Sequence, residues 1–208
     1  MGNHDKQLEE GIYIGNQVDK SNLSNPISRK LVAGFDEKLF KALDQVQPTS
    51  LHEVGCGEGR LTRLIRDRYQ IEVLASDFSE ALISENLQQD HSSIQFQHLS
   101  IYDLDPEIHR RQTVVCCEVL EHLENPDLGL RALRRLDAEH YVVSVPREPI
   151  WRVLNMMRFK YMPDWGNTPG HLNHWSPKTF SQFVEKNGFE ILEVLNPFPW
   201  IMLRLKAV

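Results

Sequence analysis

Cysteine is scarce in this chain: three in all, two of them adjacent in an apolar run at Cys116-Cys117. That number and placement exclude a disulfide framework and fit a reducing compartment. No apolar run approaches the roughly 18 residues of a membrane span. The first residues are polar and carry no apolar core of a secretion signal. A cytoplasmic location is therefore expected. Positive charge is not in excess either. A formal charge of −6 argues against a broad phosphate-binding face and disfavours nucleic acid as a partner. Internal repeats and low-complexity tracts are missing too, which removes solenoids and disordered segments from consideration. What remains is ordinary: 208 residues, 41% of them hydrophobic, are enough for one well-buried domain and hardly enough for two.

The chain is organised around one stretch, Glu53-Val54-Gly55-Cys56-Gly57-Glu58-Gly59. It follows a short apolar run and precedes a helix-like segment. Strand, glycine turn and helix N-terminus together make a nucleotide cradle, because glycine turns tightly with positive φ and lets a ligand approach the backbone. The spacing is G-x-G-x-G and not the G-x-G-x-x-G of a dinucleotide site, which disfavours a nicotinamide-dependent oxidoreductase. Glu53 would repel a pyrophosphate and suits a cationic amine. Asp77 follows the next apolar run, 18 residues beyond Gly59, where a carboxylate can accept hydrogen bonds from both hydroxyls of a ribose. An adenosine at one end and an ammonium group at the other describe S-adenosylmethionine.

The remainder alternates. Apolar runs at 51–54, 71–75, 94–96, 113–117 and 141–145 read as strands, with helix-like stretches at 60–68, 79–89 and 126–136 between them. Such β-α alternation predicts a parallel sheet covered on both faces. A last pair of strands, 190–195 and 200–205, joined through Asn196-Pro197-Phe198-Pro199, must be antiparallel. The expected fold is an α/β three-layer sandwich whose seven-stranded, mostly parallel sheet ends in that hairpin. Residues 1–24 read as a mobile arm, and 25–208 as a single domain. Asn25-Pro26 caps a first helix with its apolar stripe at Ile27, Leu31, Phe35, Leu39 and Leu43. Residues 146–175, rich in Met and aromatics and broken by proline and glycine, read as a lid or acceptor-binding insertion and not as a core helix. Arg147, Arg152, Arg158 and Lys160 would stand at its rim.

These motifs resemble the class I S-adenosylmethionine-dependent methyltransferases, with the glycine stretch as their first motif and Asp77 as their second. The resemblance implies the seven-stranded Rossmann-like fold and a cofactor held by Glu53, Gly55, Cys56, Gly57, Gly59, Asp77 and Phe78. Ser100 (or alternatively Asp103) and Ile101 after the third strand and Cys117 at the end of the fourth would complete the contact. Within the family, ubiquinone-pathway O-methyltransferases have an Asn-Pro-x-Arg element whose arginine meets the methionine carboxylate. Asn25-Pro26-Ile27-Ser28-Arg29 is one residue longer and implies that role for Arg29.

After the fourth strand come Glu118, Glu121 and His122, spaced i, i+3, i+4 so that one helical turn would align them. Three readings stay open: structural capping and burial, a general base at His122, or a divalent metal site. Glu-x-x-Glu-His at this place occurs in ubiquinone-pathway enzymes and in metal-dependent methyltransferases of small-RNA 3′ ends. In the RNA group a later histidine completes the site, and His171 and His174 are the candidates here. Mixed carboxylate and imidazole ligands would suit Mg²⁺, Mn²⁺ or Zn²⁺. The implied function is methyl transfer from S-adenosylmethionine to a hydroxyl, or an amine, of a small-molecule or lipid-like acceptor. The alternatives are a metal-dependent 2′-O-methyltransferase of RNA 3′ ends and a non-catalytic protein that binds the cofactor.

Overall fold

The computed structural model describes residues 25–89, 93–157 and 161–208, and the backbone of two short strands near the N-terminus, β1 (Leu8–Glu9) and β2 (Ile12–Tyr13). Those two pair antiparallel, Leu8 with Tyr13 and Glu9 with Ile12. The rest of the expected arm lies outside the described residues.

Helix α1 (Pro26–Val46) starts where the Asn25 side chain accepts from the Ile27 amide at 2.9 Å, with proline in the first turn. It buries Phe35, Leu39, Ala42 and Leu43 and stops at Gln47, which takes a left-handed conformation just before Pro48. Alternation then begins with β3 (Leu51–Val54), α2 (Arg60–Tyr69), β4 (Val73–Asp77), α3 (Glu80–Leu87) and β5 (Ile94–His98). The short α4 (Pro106–His109) leads to β6 (Thr113–Cys117), α5 (Pro126–Arg135) and β7 (His140–Pro146). Helix α6 (Ile150–Met157), α7 (Pro177–Lys186), β8 (Phe189–Leu195) and β9 (Trp200–Ala207) complete the chain.

The seven-stranded sheet runs β5-β4-β3-β6-β7-β9-β8. Its first five strands are parallel, and β9 inserts antiparallel between β7 and β8. Strand β6 shows why both faces are covered. Val114 and Cys116 point into a core with α5 and α7, whereas Val115 and Cys117 point into one with α1 and α2. A period of two with every residue buried is the mark of a central strand. Strand order reverses between β3 and β6, so a ligand belongs beyond the carboxyl ends of those strands.

Two expectations shift. The second strand begins at Val73 and not Ile71, because the hydrogen-bond ladder pairs Val73–Asp77 with Ile94–His98 and leaves Ile71 and Glu72 outside it. The segment after β7 contains a helix, α6, where an irregular insertion was expected. No proline or glycine interrupts Ile150–Met157, and the breakers Pro163, Pro169 and Gly170 all fall after it. The insertion is tied at its base: Arg147 bridges Trp175, and the Glu148 amide donates to the Trp175 carbonyl at 2.9 Å.

Candidate functional site

The turn after β3 carries three left-handed glycines, with φ of 78° at Gly55, 53° at Gly57 and 71° at Gly59. Two of them are closely packed. A Cβ on Gly55 would lie 2.2 Å from Val119 Cγ2, and one on Gly59 would lie 2.7 Å from Asn86 Oδ1. A Cβ on Gly57 would meet nothing within 4 Å, so the backbone there borders open space. That is the face from which a ligand can approach the backbone.

The loop is held by groups on neighbouring elements. Both the Gly55 and Cys56 amides donate to the Ser76 carbonyl, at 2.7 and 3.0 Å. Asp77 Oδ2 accepts from the Gly57 amide at 2.8 Å and Oδ1 from the Ser79 amide at 3.0 Å. Each carboxylate oxygen has two acceptor sites, so the buried Asp77 can brace the loop and still receive a ribose diol. Asn86 and Arg63 were invisible to motif reasoning, since neither belongs to a spacing pattern. Asn86 Nδ2 donates to the Gly57 carbonyl at 2.8 Å, and Arg63 Nη2 donates to Asn86 Oδ1 at 2.7 Å. Arg60 grips Asp36 through two bonds of 2.8 and 2.6 Å, which ties α2 to α1.

Glu53 is fully enclosed and accepts a hydrogen bond from the Thr62 hydroxyl. Burial pushes its carboxyl up from 4.5 to about 7, against the pull of the Thr62 hydroxyl and of Arg60 and Arg63. Cys56 is held as an inert thiol, because burial and then the Glu53 and Asp77 charges raise it well above its ordinary value. Beneath the cradle a buried histidine, also missed by motif reasoning, supports β4. His52 Nε2 lies 2.8 Å from the Ser76 hydroxyl and Nδ1 3.1 Å from the His109 carbonyl. Burial lowers its pKa to about 3, so it stays neutral.

After β5 the Leu99 amide donates to the Asp77 carbonyl at 2.9 Å, which draws Ser100 and Ile101 toward the cradle. Ser100 caps the short turn Ile101–Asp103 by accepting from the Tyr102 amide at 3.3 Å. Phe78 is half-buried, its carbonyl 2.8 Å from His98 Nε2. Cys117 is buried at the end of β6. Arg29, the residue expected to meet the methionine carboxylate, lies in the first turn of α1. It is exposed there, and the packed face of α1 is directed at β7 and β9.

The residues after β6 divide into two groups. Glu121, His122 and His171 come together, each offering a ligand atom, all within 4.8 Å of one another. The segment 170–173 is stapled to this turn. The Leu172 and Asn173 amides both donate to the Glu121 carbonyl, at 2.8 and 3.0 Å, and His122 Nδ1 lies 2.9 Å from the Gly170 carbonyl. The His122 and His171 rings meet edge to face at 4.9 Å. Glu118, at φ 60°, turns to the other side, where Trp200 and Ser144 bond its carboxylate. His174 is exposed and pairs with Asn167 Oδ1 at 2.7 Å. The two residues expected alongside the cluster therefore stand outside it: a left-handed backbone at Glu118 breaks the helical alignment that i, i+3, i+4 spacing presumes.

An aromatic wall backs the cluster. Trp151 stacks on His171 at 6.4 Å and tilts against Trp200 at 5.4 Å. Of the rim cations, Arg158 and Lys160 lie outside the described residues.

A family model described as "Methyltransferase domain" matches residues 29–194. The chain belongs to this methyltransferase family. It is an S-adenosylmethionine-dependent enzyme with the Rossmann-like methyltransferase fold. No curated protein is matched by its sequence. Among solved structures, the magnesium protoporphyrin IX methyltransferase of Synechocystis PCC 6803 with bound S-adenosylhomocysteine is similar at 18% identity and TM-score 0.66, over 90% of each chain. The methyltransferase domain of a bacterial Hen1 is similar at 20% identity and TM-score 0.63, covering 85% of this chain and 100% of that one. Human N-acetylserotonin methyltransferase in complex with S-adenosylmethionine is similar at 12% identity and TM-score 0.65, over 82% of this chain and 51% of that one. Identities this low speak for the fold alone.

The cradle fits the cofactor that the family implies. Its backbone is open over Gly57, the Asp77 carboxylate stands beside the loop with acceptor capacity to spare, and the buried Glu53 carboxyl lies beneath it. The methyltransferase has no helix among its described residues that is long and apolar enough to cross a membrane.

Proposed function

We propose that this methyltransferase methylates a hydroxyl of a small or lipid-like acceptor, with His122 as the general base. One observation carries the reading. His122 Nδ1 faces the Gly170 carbonyl at 2.9 Å, and a carbonyl only accepts. Nδ1 therefore carries the hydrogen and Nε2 the lone pair, which is the tautomer a base requires. Glu121 Oε1 lies 4.0 Å from Nε2, close enough to stabilise the imidazolium once a proton has been taken. S-adenosylmethionine, when bound, supplies an electrophilic methyl on a sulfonium. Gly55 to Gly59 would cradle it, Asp77 would receive its ribose and Glu53 would balance its positive charge, with Phe78, Ser100, Ile101 and Cys117 beside them. Orientation and exclusion of water by residues 146–175, acting as a lid of the single domain 25–208, would supply much of the rate. The stacked Trp151 and His171 favour an acceptor with a flat or apolar body. An amine is the second choice of acceptor atom.

The ubiquinone-pathway O-methyltransferase-like group is the subgroup we favour, on the Glu118, Glu121 and His122 spacing. RNA is disfavoured as acceptor by the net charge of −6, and three free cysteines suit a reducing, cytoplasmic setting. A second reading is supported by the same cluster. Glu121, His122 and His171 offer one oxygen and two nitrogens to an Mg²⁺, Mn²⁺ or Zn²⁺ ion, which would lower the pKa of an acceptor hydroxyl.

The test is release of S-adenosylhomocysteine over a panel of phenolic, sugar and lipid hydroxyl acceptors, with and without chelator. His122→Ala is expected to lower kcat by about 10²–10⁴-fold while affinity for S-adenosylhomocysteine is unchanged. Undiminished turnover in that variant would end the proposal.

A further inference from the structure

Glu118 stands apart from the Glu121, His122 and His171 group, and its own surroundings give it a different task. It is the first residue after β6, held at φ 60°. For a residue with a side chain this conformation costs on the order of 1 kcal/mol, and such strain persists only where neighbours enforce it. Here they do. The Glu118 amide donates to the Ser144 carbonyl at 3.1 Å, the Ser144 hydroxyl donates to Oε1 at 3.3 Å, and the Trp200 indole N–H donates to Oε2 at 2.5 Å.

Trp200 is itself locked. It is buried, meets Phe35 edge-on at 5.2 Å and tilts against Trp151 at 5.4 Å. An indole N–H can only donate, so it fixes the orientation of the carboxylate oxygen that faces it. On its other side Glu118 adjoins the cradle. Val119, the next residue, fills the space where a Cβ on Gly55 would be, at 2.2 Å. Glu118 thus neighbours the residue that packs on the glycine loop, while its carboxylate meets Trp200 of the aromatic wall, at the carboxyl end of the strand beside β3. On the function proposed above, methyl transfer would take place between a cofactor on the loop and an acceptor against the wall.

We infer that Glu118 faces the charged sulfonium end of the bound cofactor, and that Trp200 and Ser144 are positioning residues that hold its carboxylate there. This rests on the cofactor reading above. Phe35 against Trp200 further links α1 to this carboxylate, which joins the first helix and the last strand to the reacting end of the site.

Sinefungin separates this assignment from a merely structural role, because it carries an ammonium group where the methylated sulfur would be. Its calorimetric affinity at pH 7.5 is compared with that of neutral-sulfur S-adenosylhomocysteine. The wild type is expected to prefer sinefungin by about tenfold, the order of one charge-assisted hydrogen bond. Glu118→Gln, Trp200→Phe and Ser144→Ala are each expected to lower that preference at least threefold, with S-adenosylhomocysteine affinity held within about threefold. Trp200→Phe keeps an aromatic ring but removes the N–H together with the five-membered half of the indole. If it unfolds in a thermal melt, Ser144→Ala decides alone. No preference in the wild type, or a preference that survives Glu118→Gln, overturns the assignment. A preference lost in Glu118→Gln but retained in the other two overturns the positioning role. Failure of the wild type to bind S-adenosylhomocysteine would instead strike the cofactor reading itself.

Discussion

Replacing Glu53 by glutamine tests whether the cradle stores an unfavourable charge for its ligand. Glu53 is enclosed beneath the glycine loop, and burial raises its carboxyl from 4.5 to about 7. A folded-state value above the unfolded one means that the folded protein binds more protons between those limits. Stability from this group is therefore fully present below about pH 4.5 and is lost as pH rises through about 7. At 1.36 kcal/mol for each pH unit the loss amounts to about 3 kcal/mol. Glutamine keeps the acceptor for the Thr62 hydroxyl and carries no charge. Glu53→Gln is accordingly expected to melt about 6–10 °C above the wild type at pH 8.5 and within about 2 °C of it at pH 4.5. A cationic ligand should reverse the sign of the effect by drawing Glu53 into its charged form. At pH 6.5, cofactor binding to the wild type should release roughly 0.8 proton, seen as a dependence of calorimetric enthalpy on buffer ionisation. The variant should release none and bind more weakly. Equal melting temperatures at both pH values, or binding without proton release, would refute the reasoning.

The cradle carries two further expectations. Asp77→Ala removes the acceptor of the Gly57 and Ser79 amides together with the proposed ribose anchor, so S-adenosylhomocysteine affinity should fall at least about 100-fold by calorimetry. Gly55→Ala and Gly57→Ala separate packing from access. The first drives a methyl to 2.2 Å from Val119 Cγ2 and should cost stability of about 2 kcal/mol or more in a urea titration, whereas the second, directed into open space, should cost about 1 kcal/mol in stability and most of the ligand affinity. If the three-residue cluster takes a metal, Mn²⁺ should raise the melting temperature of the wild type and leave that of His171→Ala unmoved.

Much of the cradle was legible in the chain. Gly55, Gly57 and Gly59 require positive φ, Asp77 ends a strand beside them, and the apolar runs alternate with helical stripes. These are local properties, written in neighbouring residues, and the β-α alternation they create leaves little choice of sheet. Even the cap at Asn25 was readable, because a cap bonds within three residues of itself. Spacing was a poorer guide past the strand ends. It aligned Glu118 with Glu121 and His122 on the assumption of a regular helix, and the left-handed turn at Glu118 separates them.

What the sequence alone determined, then, is the fold and the class of cofactor, since both follow from short-range patterns that physics allows to fold in few ways. Only the tertiary structure decided which distant groups meet. It brought His171 rather than His174 to His122, from 49 residues away in the chain. It set Trp200 against Glu118, and it placed Asn86 and Arg63 behind the glycine loop. Contacts of that kind depend on how β7, β9 and the insertion pack, and no local pattern encodes the distance between them.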